Sequence, residues 1–404
     1  MKRRFKTVVC RFIQGESTCR RASRWATPAA FVILLFCFFW TRTLADSHAP
    51  RQSVLRVLAW PGYADDDWVR AFEHRFHAKV EVTFVDSDEA LWARMHSAQP
   101  PPFDVLAANT AEIERYTQAG MLSALDLSRI PNRRWQQPYF QRLADTRGLV
   151  DAGHAYAIPF TYSSMGLIYD RKQIADPPRS MRALWDPRYR GKVLDFNSAQ
   201  HNFSFTALAL GYRDPFNLSP EQMRTVAREL VRLRRNLLTY YTLPEEATAQ
   251  FVQHHVALMF GNYGTQQVEQ LRQAGVDVGY VIPDEGALAW LDCWAITRNA
   301  SNPALAYAWI NAMLEPQTGK QLTQREGLAN TMMPVSGAAS AAVSARASAN
   351  VPANASANVS GDVPGDVPGS SPHLVWLQRV ESIGEREALW HRIESGDRLR
   401  SFPE

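Results

Sequence analysis

Residues 281–296 read VIPDEGALAWLDCWAI and are almost wholly apolar. Such a run predicts a strand that is covered on both faces, as in the sheet of an α/β protein. One carboxylate, Asp292, lies between Trp290 and Trp294, and the alternation of side chains along a strand places all three on one face. A buried carboxylate is costly without a cationic partner. That partner is either an arginine of the fold or a ligand ammonium group, for which the Trp290 indole offers a cation–π face.

Length and charge narrow the class of protein. A chain of 404 residues is long for a single core, so two domains or lobes are expected. An apolar content of 46% and a charged content of 21% are typical of a soluble globular protein. The net charge of +4 is misleading, because residues 1–45 contribute +8 and leave −4 on the remainder. The remainder therefore offers no overall positive charge for binding nucleic acid.

The N-terminal segment, residues 1–45, is typical of an export signal. A basic stretch precedes an apolar run at 28–40, and Thr43-Leu44-Ala45 is a small-residue pattern suited to cleavage. The apolar run is short for a bilayer span, and an uncleaved membrane anchor is the alternative. Both readings predict a protein in the periplasm. Only Cys293 remains outside this segment, which excludes a disulfide framework and a thiolate metal site.

Strand-like and helix-like segments alternate after the signal and indicate a mostly parallel sheet. In such sheets ligands bind beyond the carboxyl ends of the strands. Trp60 and Tyr63 lie on a Pro-Gly turn after the first strand, and Asn109 and Thr110 follow a buried strand. We therefore expect these four residues to take part in ligand binding.

The second half of the chain adds three further candidates at strand ends. Ser198 and His201 follow the strand predicted near residue 195, and Asn262 lies in the turn after the strand at 256–260. Residues 336–371 are of low complexity, and such a composition predicts a linker without a core of its own. The predicted lobe 1 comprises residues 53–157 and 290–335, and the predicted lobe 2 comprises residues 158–289 and 372–404.

Several longer stretches resemble the spermidine/putrescine-binding proteins of bacterial ABC importers. The matching stretches are LAWPGYADD at 58–66, FDVLAANT at 103–110, YAIPFTYSSMGLIYD at 156–170, LWDPRYRGKVL at 184–194, IPDEGALAWLDCWAI at 282–296 and NPALAYAWINAMLEP at 302–316. The resemblance implies the type II periplasmic-binding-protein fold, in which two α/β lobes enclose a ligand cleft. It also implies a monomer that delivers a small amine-containing solute to an inner-membrane ABC permease, without a cofactor, a metal or nucleic acid.

The resemblance assigns roles to individual residues. Trp60 and Tyr63 match the aromatic walls of the family's cleft, and Asn109 matches a polar position there. Trp290 and Asp292 match the family's aromatic platform and its amine-binding carboxylate. On this reading the protein captures its solute by hinge closure around an aromatic and carboxylate-lined cleft.

This sequence also departs from the family pattern. Ser198 and His201 stand where the family often has an acidic pair, and Gly261 replaces a family aromatic. The second ammonium group of a long polyamine would therefore lose its carboxylate. A smaller or singly charged amine, or a zwitterion, becomes a rival to a polyamine.

Three other functions stay open at this stage. Cys293 is a possible enzyme nucleophile, but it lies in an apolar strand without a nearby histidine to activate it. Tyr240 and Tyr241 are adjacent, as the phenolate ligands of ferric-ion-binding proteins of this fold are. A ligand sensor tethered to the membrane would use the same binding chemistry with a different partner. An enzyme is the least favoured of the three.

Overall fold

The computed structural model describes residues 53–97, 102–333 and 374–396. The predicted signal at 1–45 and the predicted linker at 336–371 lie outside these ranges. Among the described residues no helix combines the length and the apolar character needed to cross a bilayer. The described chain folds into two larger sheets and one small two-stranded sheet, with helices packed around them.

The first sheet has seven strands. These are β1 (Ser53–Ala59), β2 (Ala78–Phe84), β3 (Val105–Asn109), β6 (Ala157–Met165), β12 (Ala287–Ile296), β13 (Ala329–Asn330) and β14 (Leu374–Trp376). They are ordered β13-β6-β12-β3-β1-β2, and β14 also pairs with β12. The pairs β1–β2 and β1–β3 are parallel, so the ends of β1, β2 and β3 meet at one edge of the sheet.

The second sheet has five strands in the order β11-β7-β10-β8-β9. These are β7 (Leu167–Asp170), β8 (Val193–Phe196), β9 (Leu237–Tyr241), β10 (Leu258–Phe260) and β11 (Val278–Val281). The small sheet pairs β4 (Val150–Asp151) with β5 (His154–Ala155). The apolar strands of both larger sheets, together with the buried faces of the helices packed on them, form the core of the protein.

Helices connect the strands of both larger sheets. The α-helices are α1 (Asp66–Phe76), α2 (Asp88–His96), α3 (Thr110–Gln118), α4 (Pro138–Gln141), α5 (Ala199–Ala209), α6 (Pro220–Arg234), α7 (Pro244–Gln253), α8 (Thr265–Gln273), α9 (Pro303–Met313), α10 (Pro316–Glu326) and α11 (Ile383–Ser395). Short 3-10 helices cover Leu127–Arg129, Pro131–Trp135, Leu143–Asp145, Met181–Trp185 and Pro187–Tyr189. The helix α6 begins at a complete capping box formed by Ser219 and Gln222.

Two long antiparallel strands, β6 and β12, carry the chain between the larger sheets. They pair from Leu288 opposite Met165 to Ala295 opposite Ala157, and every residue of both strands is buried. The next strand after β6 begins at Leu167 in the second sheet. The predicted lobe boundaries at 157/158 and 289/290 therefore fall inside strands of the first sheet. Both strands are buried along their whole length, polar residues included, so burial gives no signal for the crossing point.

The C-terminal described segment, residues 374–396, touches both parts of the molecule. Its strand β14 lies beside β12, while α11 packs near the helices of the second sheet. Arg386 of α11 is fully buried and donates hydrogen bonds to the carbonyl oxygens of Pro215 and Phe216 at 3.1 and 2.6 Å. Trp390 donates to the side-chain oxygen of Asn197 at 2.9 Å. These contacts fasten the segment to the second sheet.

Candidate functional site

One cavity brings together residues from both larger sheets. Eight of the nine predicted ligand-binding residues line it: Trp60, Tyr63, Asn109, Ser198, His201, Asn262, Trp290 and Asp292. Further lining residues are Pro61, Ser87, Asp88, Phe196, Pro244, Tyr263, Gln266, Leu328 and Leu377. The lining combines aromatic faces, two carboxylates and one imidazole, which suits a small solute that carries positive charge.

The turn after β1 sets two aromatic side chains against the cavity. Gly62 has a φ of 84°, which favours glycine, and a Cβ atom there would meet the Glu326 carboxylate at 2.8 Å. The turn is closed by a hydrogen bond from the Tyr63 amide to the Trp60 carbonyl at 3.2 Å. Tyr63 is buried and packs edge-on against Phe160, with ring centroids 5.4 Å apart. The Pro-Gly turn therefore positions the Tyr63 hydroxyl inside the protein.

Asp292 is the carboxylate in the middle of β12. It is 7% exposed, and its Oδ2 accepts a hydrogen bond from the Tyr63 hydroxyl at 2.6 Å. Burial raises the pKa of Asp292 to about 7; the Tyr63 hydrogen bond opposes the rise and the nearby charge of Asp88 adds to it. In the described ranges no lysine or arginine pairs with this carboxylate. The arginine partner that the sequence left open is thus not found there.

Trp290 lies two residues before Asp292 on β12 and forms a wall of the cavity. Its indole Nε1 donates to the carbonyl oxygen of Asn262 at 2.9 Å, which fixes the ring plane. The amide of Asn262 in turn donates to the hydroxyl of Tyr241 at 3.1 Å. Trp294, predicted on the same face, is fully buried and lies 5.9 Å from Trp309 between ring centroids. It belongs to the core and not to the cavity wall.

Asn109 lines the cavity, but its side chain already makes hydrogen bonds to other residues of the protein. Its Oδ1 accepts the amides of Ala111 and Glu112 at 3.0 and 3.1 Å and so caps α3. Its Nδ2 donates to both carboxylate oxygens of Asp88 at 3.0 and 3.1 Å. The geometry makes Asn109 a residue that positions Asp88.

Thr110 is the one predicted ligand-binding residue that the structure does not bring to the cavity. Its hydroxyl donates to the carbonyl oxygen of Leu377 at 3.1 Å. The side chain therefore faces the C-terminal segment, because successive residues at the start of α3 point in different directions. The cavity gives no support to a ligand contact by Thr110, and that role stays a prediction.

Asp88 lines the cavity but was not among the residues predicted from the sequence. It follows β2, one residue after Ser87, whose hydroxyl caps α2 by accepting the Ala90 amide at 3.1 Å. Acidic residues at a helix start have an ordinary explanation in capping and in the helix dipole. Its position at the end of a parallel strand, at the same sheet edge as Trp60 and Asn109, was the available signal.

Ser198 and His201 come from the second sheet, at the start of α5. The Ser198 hydroxyl caps this helix by accepting the His201 amide at 3.4 Å. The His201 Nδ1 lies 2.8 Å from the side-chain oxygen of Asn262, and its ring stacks near Phe196 with centroids 5.7 Å apart. The imidazole is therefore held rigidly at the cavity edge.

The residues considered for an enzyme nucleophile and for ferric-ion binding do not form such sites within the described chain. The Cys293 thiol is fully buried and its pKa is raised by burial, the opposite of an activated thiolate. The Tyr241 hydroxyl donates to the Phe260 carbonyl at 2.6 Å, while the Tyr240 ring packs edge-on against Trp390. No cluster of metal-ligating side chains occurs among the residues that the structure describes.

Comparison with known proteins places the chain in a family. Residues 67–353 match the model of the bacterial extracellular solute-binding proteins. The chain belongs to this family. That match spans more than half of the sequence and includes every residue of the cavity discussed above except those on the turn after β1 and Leu377.

Individual relatives of this solute-binding protein agree with the family match. It is 25% identical over 281 residues to the spermidine/putrescine-binding periplasmic protein 1 of Haemophilus influenzae, covering 69% of this chain and 75% of that protein. It is 24% identical over 287 residues to the spermidine/putrescine-binding periplasmic protein of Escherichia coli, covering 70% and 79%. The resemblance drawn from the sequence motifs is thereby confirmed.

The fold is shared with solved structures of such proteins. The substrate-binding protein PotD of a Streptococcus pneumoniae spermidine/putrescine ABC transporter superposes with a TM-score of 0.62 at 20% identity. The superposition covers 86% of this chain and all of that one. The predicted α/β fold of the two-lobe periplasmic-binding-protein type is confirmed by this similarity and by the two larger sheets.

Proposed function

We propose that this protein is the periplasmic solute receptor of an ABC importer and that it captures a small amine-containing solute, with a polyamine as the first candidate. The observation that carries the proposal is Asp292. It is a buried carboxylate in a cavity with aromatic walls, and its hydrogen-bond donor, Tyr63, is neutral. A ligand ammonium group would supply the positive charge that such a site needs.

The aromatic walls support the same ligand chemistry. Trp60, Tyr63 and Trp290 line the cavity around the carboxylate. Each aromatic face attracts a cation by about 0.5–2 kcal/mol, more when the cation is desolvated. A carboxylate together with several aromatic faces therefore favours an organic ammonium ion over a neutral or anionic solute.

Capture by closure follows from the connection between the sheets. The cavity takes Asp292 and Asp88 from the first sheet and its helices, and His201 and Asn262 from the second. Connections of a few strands allow two lobes to rotate about a narrow waist. A solute that contacts residues of both lobes then stabilises the closed arrangement.

The names of the relatives support the remaining parts of the proposal. The relatives from Haemophilus influenzae and Escherichia coli are periplasmic spermidine/putrescine-binding proteins. We therefore assign export to the segment 1–45 and delivery to an inner-membrane permease. The monomeric state and the absence of catalysis are carried over from the family resemblance alone. No cofactor takes part in this function.

Calorimetric titration tests the proposal. The purified protein is titrated with 1,4-diaminobutane, spermidine, a neutral diol of the same length and several amino acids. Heat of binding for an amine but not for the diol is expected, with a rise in melting temperature, since a ligand at 100 times its Kd stabilises by about 2.7 kcal/mol. Binding of the diol or of an acidic solute in place of every amine would refute it.

Closure has its own measurement. Small-angle scattering should show a smaller radius of gyration once the cavity is saturated with the amine that binds. An unchanged radius at saturation would count against a mechanism in which the lobes close on the solute.

A further inference from the structure

The cavity contains a second carboxylate, that of Asp88 in the first turn of α2. Asp88 is 6% exposed, and Asn109 Nδ2 donates to both of its oxygens. The capping of α2 is performed by Ser87, whose hydroxyl accepts the Ala90 amide. Asp88 is thus not needed as the cap of its own helix, and Asn109 orients its carboxylate at the cavity wall.

His201 faces this carboxylate from the second sheet. Its Nε2 lies 3.6 Å from Asp88 Oδ2, and the imidazole side chain is 9% exposed. The Nδ1 contact with the Asn262 side-chain oxygen requires a proton on Nδ1, because an amide oxygen only accepts. In the neutral ring Nε2 is then an acceptor, and within the described part of the chain it has no hydrogen-bond partner.

With the imidazole neutral, two hydrogen-bond acceptors therefore face each other 3.6 Å apart in a nearly buried place. An ammonium group has three N–H donors and no acceptor. Placed at this point it donates to Asp88 Oδ2 and to His201 Nε2 at once, and it neutralises the carboxylate. We propose that Asp88 and His201 form a second ammonium subsite, so that the cavity binds a compact diamine through Asp292 at one end and Asp88 at the other.

The charge balance of the cavity supports a doubly charged ligand. The Asp88 charge raises the pKa of Asp292 further than burial alone does, so the two carboxylates interact across the cavity. A single ammonium leaves one of the two charges uncompensated, whereas a diamine compensates both. The sequence had indicated that the second ammonium group loses its carboxylate at Ser198 and His201. The structure supplies the missing carboxylate from the opposite wall.

This inference rests on the proposed amine-binding function, and it also explains how the ligand closes the lobes. Asp292 and Asp88 belong to the side of the first sheet, and His201 belongs to the side of the second. A diamine nitrogen held between Asp88 and His201 therefore joins the two lobes directly. A monoamine held at Asp292 alone does not make this connection.

The test compares 1,4-diaminobutane with 1-aminobutane, which has the same carbon chain and one ammonium group fewer. Both are titrated into the wild-type protein, into Asp88→Asn and into the matched control Glu89→Gln. Glu89 is the adjacent carboxylate on α2 and does not line the cavity. Melting temperatures are recorded for each variant, so that a loss of fold is separated from a loss of binding.

The wild-type protein should prefer the diamine by about 30-fold or more, the effect expected when one buried charge pair is lost. Asp88→Asn should abolish that preference by weakening the diamine alone, and Glu89→Gln should retain it. Equal weakening of both amines by Asp88→Asn would show one shared ammonium position and overturn the proposal. Equal affinities of the wild-type protein for the two amines would also overturn the proposal, and this measurement needs no variant. If the wild-type protein binds neither amine, the proposed function itself has failed.

Discussion

The hydroxyl of Tyr63 donates a 2.6 Å hydrogen bond to Oδ2 of Asp292, and so joins the turn after β1 to the middle of β12. Burial raises the pKa of the Tyr63 phenol above its ordinary value, so it stays a proton donor at neutral pH. A neutral donor orients the carboxylate without cancelling its charge. The pair is therefore prepared for a cation that the described protein does not itself supply.

The first prediction concerns the charge of Asp292. Asp292→Asn removes one partner of a desolvated charge pair and should weaken amine binding by about 30-fold to several thousandfold, or about 2–5 kcal/mol. Tyr63→Phe is the matched control, because it removes only the neutral hydrogen bond and should cost about 1 kcal/mol. Calorimetric titration beside a thermal melt measures both effects. A normal Kd together with a strongly lowered melting temperature would mean that Asp292 serves the fold and not the ligand.

The second prediction concerns pH. A proton competes with the ligand ammonium for the Asp292 carboxylate, whose pKa is raised to about 7. Affinity should therefore fall by up to about tenfold for each pH unit below 7 and level off above it. The Asp292→Asn variant should lack this part of the dependence. Titrations between pH 5 and pH 8 check it, and a wild-type affinity independent of pH over that range would contradict it.

The same raised pKa predicts how stability changes with pH in the absence of ligand. The folded pKa of Asp292 exceeds its ordinary value of 3.8, so the folded state holds the proton more tightly than the unfolded state does. The corresponding stability is fully present below about pH 4 and is lost as the pH rises towards 7. Glu89, with its pKa also raised to about 7 by burial, acts in the same sense. Comparing the unfolding free energies of wild type and Asp292→Asn across this range isolates the contribution of Asp292, and identical curves would argue against it.

The third prediction concerns the aromatic walls. Trp290→Ala and Trp60→Ala should each weaken amine binding by about 0.5–2 kcal/mol through the loss of a cation–π face, which is less than the effect of Asp292→Asn. Trp290→Phe is the control, since it keeps an aromatic face but removes the hydrogen bond to Asn262. Its affinity should lie between those of the wild type and the alanine variant. If either tryptophan-to-alanine change lowered the affinity more than Asp292→Asn does, apolar contact and not the charge would supply most of the binding energy.

The fourth prediction concerns Arg386 in α11. Its guanidinium is fully buried and donates to Pro215, Phe216 and the Ser204 hydroxyl. Arg386→Met keeps the volume but leaves these acceptors without a donor, at about 1–3 kcal/mol for each buried group. The melting temperature should fall clearly, whereas the exposed change His391→Gln in the same helix should stay within about 0.5 kcal/mol of the wild type. Equal melting temperatures for the two variants would show that α11 adds little to the stability of the fold.

Most of the candidate site could be predicted from the sequence because it obeys two local rules. Trp60 and Asn109 stand at the ends of parallel strands, where ligand sites form. Trp290 and Asp292 lie two positions apart on one strand and therefore share a face. The resemblance to a known family added roles to these same positions. Neither rule requires knowledge of how distant parts of the chain meet.

What could not be predicted depends on long-range placement. Asp88 reads as an ordinary helix start until Asn109 and His201 are seen beside it. Leu377 lines the cavity only because β14 returns to pair with β12. The lobe boundaries stay a prediction, because β6 is buried along its whole length, including Ser163 and Ser164, so burial does not change where the chain leaves the first sheet.

The return of residues 374–396 makes the solute cavity a composite of two chain pieces. Leu377 forms part of its wall, while Arg386 and Trp390 anchor the same piece in the second half of the molecule. A protease cut between Met333 and Leu374 would therefore yield fragments that remain associated through β14 and α11 without a covalent link. Solute affinity would then vary with protein concentration, because dilution separates fragments that a continuous backbone keeps at a high effective concentration.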